Sequence, residues 1–170
     1  MFTDQSPPPV EPVTLDDAKL FLRIDTPHHD ALLGDLIRSA REQVERRASL
    51  VLVTRDVRLT LPVCGTRVRL PISPVQSLTE VRVEGETVEG QLNNRPHPAW
   101  LHFATRQQGF AEIDLVAGFG RTDADVPVPL RQAILLLVAD AFEHREREVG
   151  FERVSLRVDA LIGPYWGPRL

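Results

Sequence analysis

A single cysteine, Cys64, stands in the 170 residues. No disulfide can therefore form within the chain, and neither a cysteine-built zinc site nor a CxxC redox pair is available. Lysine is as scarce: Lys19 is the only one, and the rest of the positive charge is arginine. The formal net charge of −4 falls short of the basic excess that a dedicated nucleic-acid binder carries. Long apolar runs are missing too. The longest, Ala133 to Ala139, is interrupted by Asp140 and is far too short to span a bilayer. Met1-Phe2-Thr3-Asp4-Gln5 has no basic or apolar region of a secretory signal. The expectation is a protein with no membrane partner, made and kept in the cytoplasm.

What is present is an ordinary soluble balance, 42% hydrophobic and 26% charged, in a length that suits one domain or one domain carrying an insertion. Prolines 7, 8, 9 and 12 favour an extended, poorly packed arm over residues 1–12. Thr14 reads as an N-cap, with Asp16 and Asp17 in the first turn and Leu15, Ala18, Phe21 and Leu22 as the apolar stripe of a short helix ending near Ile24. Thr26-Pro27 restarts a helix. Its Leu32, Leu33, Leu36, Ile37, Ala40 and Val44 recur at helical spacing to about Ala48, and Arg38/Glu42 and Arg41/Glu45 pair along its polar face.

After Ser49 the period becomes two. Alternating runs at 57–61, 68–72 and 79–83, a turn at Gly85-Glu86, and further strands at 100–104 and 112–117 predict a small antiparallel sheet, apolar on one face and charged on the other. Helical spacing returns from about Leu130 to Glu148, so the fold class is α+β. The first half of this last helix is apolar nearly all round, and a helix of that kind must be covered on every side. Ile134, Leu137, Val138 and Ala141 are expected to face the chain's own helices, which leaves Leu135, Ala139 and Phe142 for a neighbouring subunit. The last segment carries Leu156, Val158, Leu161 and Ile162, then Tyr165 and Trp166 between Gly-Pro pairs that cannot continue a helix.

Candidate chemistry is thin. His28-His29-Asp30 invites a metal reading, but adjacent histidines point apart and no third ligand follows at helical spacing; a solvated first turn is the plainer account. Gly118-Phe119-Gly120 follows a strand, yet the third glycine of a phosphate loop is missing and prolines 127 and 129 remove helix N-terminal amides. These glycines are read as shaping a tight turn. Glu112 and Asp114 share a strand face, as solvated carboxylates commonly do. Arg38, Arg41, Arg46 and Arg47 each have a carboxylate three or four positions away, which favours ion pairing over phosphate contact. Neither catalytic residues nor cofactor or metal ligands are expected.

Val13-Thr14-Leu15-Asp16-Asp17-Ala18-Lys19-Leu20-Phe21-Leu22-Arg23-Ile24-Asp25, with Asp30-Ala31-Leu32-Leu33 and Ile37 through Glu45, resembles the opening of the phage head–tail connector (adaptor) family, which includes prophage proteins and the adaptors of gene transfer agents. Pro71-Ile72-Ser73-Pro74-Val75-Gln76-Ser77-Leu78 and Ala117-Gly118-Phe119-Gly120, followed by Val126-Pro127 and Leu130 through Asp140, are similar to later family segments in the same order. The resemblance implies a small bundle of about three main helices with an inserted antiparallel β-domain. On that reading 1–12 is a flexible arm, 13–48 a helix pair and 49–120 the insertion. Residues 126–149 are then the long buried helix, and 150–170 an extended tail. It also implies a non-enzymatic adaptor that forms a homo-oligomeric ring, commonly of twelve, between a portal protein and a stopper or tail-completion protein. DNA would pass through without sequence-specific binding, which a neutral or acidic wall suits. The protein would assemble in the bacterial cytoplasm and end in the neck of the particle. Leu156, Leu161, Ile162, Tyr165, Trp166, Arg169 and Leu170 are then expected to dock on the portal. A stopper or tail-terminator at a neighbouring level of the neck, and a small ligand-binding or enzymatic module, stay open as alternatives.

Overall fold

The computed structural model describes residues 2–4, 7–95, 98–143 and 151–165, and places them in two compact units. One is a sheet built on Ser49–Arg121 together with the N-terminal strand; the other is helical, built on Val10–Ala48 and the described residues of 122–165.

In the helical unit, α1 (Leu15–Leu22) begins with a reciprocal cap. The Asp17 amide donates to Thr14 Oγ1 at 3.0 Å, and the Thr14 amide donates to Asp17 Oδ2 at 3.2 Å. Arg23 closes the helix in the left-handed conformation, two residues before the expected end. A 3-10 turn at Pro27–His29 leads straight into α2 (Asp30–Ala48), and Lys19 Nζ donates to Asp30 Oδ1 at 2.8 Å across the two helices. Leu33, Ile37, Ala40, Val44 and Ala48 are buried along α2, as the spacing predicts. α3 (Val128–Glu143) buries Leu130, Ala133, Ile134, Leu137 and Val138. Residues 144–148, which the sequence placed at this helix's charged end, lie outside the described residues.

The expected extended tail from 150 is instead helical from the first described residue. α4 (Phe151–Ile162) buries Val158 and Ile162 and ends, as the Gly-Pro pair requires, in a 3-10 turn at Gly163–Tyr165. It is held to α2 by Arg47, which donates to Ser155 Oγ at 3.4 Å and pairs with Asp159 at 3.6 Å. The described residues thus contain four helices rather than about three. Val154, Val158, Leu161 and Ile162 lie at helical spacing and find a bundle to pack on, which makes a free tail there unfavourable.

The end of the proline-rich arm is also held. Pro12 and Val13 are buried, and Glu11 accepts from Arg41 Nε at 2.9 Å. Arg41 donates to Glu45 at 2.8 Å as well, with both side chains below a tenth exposed. The Arg41/Glu45 pair expected on a solvated face is therefore an interior pair. Its charges stay paired because the arm supplies a second carboxylate.

In the sheet unit the strands are β1 (Phe2–Asp4), β2 (Arg55–Arg69), β3 (Val75–Val83), β4 (Glu86–Thr87), β5 (Gly90–Asn93) and β6 (Trp100–Ala117). They form one antiparallel sheet in the order β1-β2-β6-β3-β4, with β5 also on β6. The separate runs expected at 57–61 and 68–72 are one strand that ends at Arg69, and 100–104 and 112–117 are likewise one strand. Pro62 does not break β2. It lies beyond the three residues that β1 pairs, on a stretch paired on one side only among the described residues, where strands tolerate proline. Between Gly65 and Arg67 the register jumps, so that β6 pairs β2 through Gln107 and then again from His102, where it also pairs β5. Val57, Leu59, Val81, Val83, Ala111, Ile113 and Leu115 fill the core of this unit, joined by Leu70, Leu101 and Phe103.

Gly118 follows β6 with φ +136°, and a Cβ there would lie 2.4 Å from the backbone of Thr54. Gly118→Ala is expected to destabilise the protein by about 2–4 kcal/mol. Gly34, in the middle of α2 with open space around it, is expected to tolerate alanine with a gain of up to about 1 kcal/mol; urea unfolding of both variants checks the contrast. In the same assay Arg41→Ala, which strips the cation from Glu11 and Glu45, is expected to cost about 3–5 kcal/mol, and Arg41→Met with Glu45→Leu much less.

Candidate assembly interface

The polar groups that invite a chemical reading are occupied by the fold itself. The Gly118 amide donates to Pro74 O at 2.9 Å and the Phe119 amide to Leu52 O at 3.0 Å, so neither is left for a phosphate. Gln76 Nε2 closes the same turn, donating to Gly118 O at 2.7 Å and to Thr54 Oγ1 at 2.9 Å. Asp114 accepts from Arg58 Nε and Nη2 at 2.7 Å each across the β2–β6 pair. That hydrogen bonding and charge raise the Arg58 pKa further, so the pair is fixed in its ionised form. Arg82 is paired with Glu80 two residues earlier on β3, and the Glu80 carboxylate also accepts from Thr87 on β4. The charged face of the sheet thus carries ion pairs both across and along its strands.

His28 and His29 meet edge to face, and His29 in turn meets the Phe142 ring at 5.3 Å. Asp30 is taken by Lys19, and no cluster of three or more His, Cys, Asp or Glu able to hold a metal occurs among the described residues. An open groove of about 600 Å³ runs past Glu80, Thr87, Gln91, His102 and Phe103 in the sheet unit. Its wide mouth and scattered polar groups do not converge on a reacting atom.

The helical unit offers apolar surface instead. On α3, Val128 is 64% exposed, and Leu135, Ala139 and Phe142 are each only half-buried. At steps of three, four and seven along the helix these side chains share one flank with Arg131. The Arg131 Nε is buried and bonds nothing among the described residues, and a buried donor left in that state costs about 1–3 kcal/mol. Two details differ from expectation. Ala141 is exposed, because it lies in the last turn of the described helix, past the side chains that cover Leu137 and Val138. Phe142 is partly engaged by its own chain through His29, so only part of its ring is left for a neighbour.

Of the residues expected to dock on a portal, Leu156 is 71% exposed, Leu161 and Tyr165 are half-buried, and Ile162 is fully buried. Ile162 is therefore corrected to a core residue of the helical unit. Trp166, Arg169 and Leu170 lie outside the described residues. The structure adds a surface that the sequence reading missed. On α1, Leu20 is 81% and Phe21 45% exposed, although Phe21 was assigned to the inward stripe. The signal was present, since five apolar residues in an eight-residue helix (15, 18, 20, 21 and 22) exceed what one face can bury.

Against known proteins, residues 12–83 match the family described as phage gp6-like head-tail connector protein. Among solved structures, the chain is similar over its whole length to a chain of the neck of an empty gene transfer agent particle computed with C6 symmetry, with a TM-score of 0.85, 26% identity and 97% of that chain covered. A chain from the virion of a native gene transfer agent particle gives 0.81 and 27%, again with 100% and 97% covered. One from the neck of a native particle computed with C12 symmetry gives 0.79 and 26%, with the same coverage. No curated protein sequence matches the chain.

Proposed function

We infer that this chain, which carries the phage gp6-like head-tail connector pattern over residues 12–83 and the fold of gene transfer agent neck proteins over its whole length, is a structural head–tail adaptor of a particle neck. The observation that carries the reading is the likeness to neck chains across all of both units, sheet as well as helices, at 26% identity. A part of this kind works by placement. It has to present fixed surfaces to its own copies and to the layers above and below, and its polar groups serve the fold rather than a reaction.

The adaptor forms a homo-oligomeric ring of twelve copies, in keeping with the sixfold and twelvefold symmetry with which the similar necks were computed. Its subunit contact uses Leu135, Ala139 and Phe142. Burying what these half-buried side chains still expose stabilises an interface by roughly 2–4 kcal/mol before association costs. The ring sits between a portal protein and a stopper or tail-completion protein, assembled in the bacterial cytoplasm and retained in the particle. Leu156 and Tyr165, with Trp166, Arg169 and Leu170 beyond them, meet the portal. DNA crosses the ring without base-specific contact, which a chain of net charge −4 favours because a net negative chain attracts phosphate weakly.

Two measurements test this. Leu135→Glu is expected to shift the melting midpoint by no more than about 4 °C, equivalent to ~1 kcal/mol, while abolishing the oligomer in sedimentation velocity. Unfolding in step with dissociation would assign Leu135 to the core of one chain. Removing residues 166–170 is expected to leave the melting midpoint unchanged and to eliminate co-sedimentation with the portal, giving heads without tails. Normal joining by the truncated protein would contradict the docking role.

A further inference from the structure

A closed ring of identical subunits needs two unlike faces on each copy, because a cyclic contact is heterologous: one patch of a subunit meets a different patch of the next. The α3 flank supplies one. It carries Arg131, whose buried Nε lacks an acceptor, followed four residues on by the half-buried Leu135 and then by the small Ala139. The second face has to answer a cation with no partner among the described residues, next to an apolar strip.

Two exposed apolar surfaces of the helical unit compete for that place. On α4, the carboxylate three residues on from Leu156, Asp159, is already paired with Arg47 at 3.6 Å. On α1, Leu20 and Phe21 stand beside two aspartates. Asp17 is occupied by its cap with Thr14. Asp16 is exposed, makes no hydrogen bond or ion pair among the described residues, and lies four positions before Leu20, hence on the same side of the helix. Asp16–Leu20 on α1 and Arg131–Leu135 on α3 are therefore matching patterns of opposite charge at the same spacing.

Resting on the ring reading above, we propose that the ring closes through α1 of one copy seated on α3 of the next, with the helices running roughly parallel. Asp16 accepts from Arg131 of the partner subunit, Leu20 packs on the α3 leucine, and Phe21 fits over Ala139. The contact gives the Arg131 guanidinium an acceptor and covers the most exposed apolar side chain described in the helical unit in one step. A charge pair closed off from water in this way sets the register of the contact as well as its strength.

Charge exchange on the full-length protein tests the pairing, with sedimentation velocity over a concentration series as the readout and circular dichroism melts to confirm that each variant folds. Arg131→Glu and Asp16→Arg are each expected to weaken self-association at least about tenfold. The double variant, which restores opposite charges, is expected to recover association to within about threefold of the unaltered protein. If the unaltered protein assembles and the double variant stays as weak as the singles, or the singles assemble normally, the α1–α3 pairing is overturned and the ring reading stands. If the unaltered protein remains a monomer at every concentration and in the presence of portal, both are overturned.

Discussion

A helix that is apolar around most of its girth cannot be satisfied by the bundle of a single small chain, and that constraint on α3 shapes the rest of the protein. Leu130, Ala133, Ile134, Leu137 and Val138 take the inward side, where α2 and α4 supply cover. The remaining flank, from Val128 to Phe142, keeps exposed or half-buried apolar side chains and a guanidinium nitrogen without an acceptor. A monomer left in this state would carry a lasting solvation cost. Assembly with further copies would remove that cost, so the proposed ring would draw its drive from one helix rather than from a separate oligomerisation element.

The sheet unit shows the opposite economy. Its inner face is filled by its own strands, and the charges on its outer face are largely matched to each other, Arg58 with Asp114 and Arg82 with Glu80. The β6 strand pairs β2 along nearly its whole length and turns at the register jump to pair β5. The Gly118 turn that follows is locked by backbone bonds to Leu52 and Pro74. Nothing in this arrangement prepares a group for reaction. A rigid, internally balanced surface is what a passage or a spacer in a neck needs.

Much of this was legible in the sequence, wherever period and capping agree. The end of α2 at Ala48, the cap at Thr14 and the burial of Ile134, Leu137 and Val138 follow from local pattern, while the start of α2 falls at Asp30, after a 3-10 turn, rather than at Pro27. The long strands were not legible as single elements. Pro62 reads as the end of a run, whereas a proline on a singly paired stretch and a glycine at a register jump, here Gly65, are tolerated within one strand. The Gly-Pro pairs around Tyr165 and Trp166 point to an extended tail, whereas Val154, Val158, Leu161 and Ile162 before them hold helical spacing and Leu156 is the exposed residue of that helix. The burial of Arg41 depends on Glu11, thirty residues earlier, and no local pattern announces a contact of that separation. Of the candidate interface, Leu135, Ala139 and Phe142 came from the overfull helix, while Arg131 and the α1 face needed three-dimensional accounting of which atoms are covered and which donors are satisfied.

The central claim, that this chain is a ring-forming part of a particle neck, is met most directly by electron cryo-microscopy of particles purified from cells that express it. The account predicts a closed ring of copies of this chain between head and tail, fitting the helical and sheet units described above. Complete, tailed particles whose neck density holds no copy of the chain would contradict it.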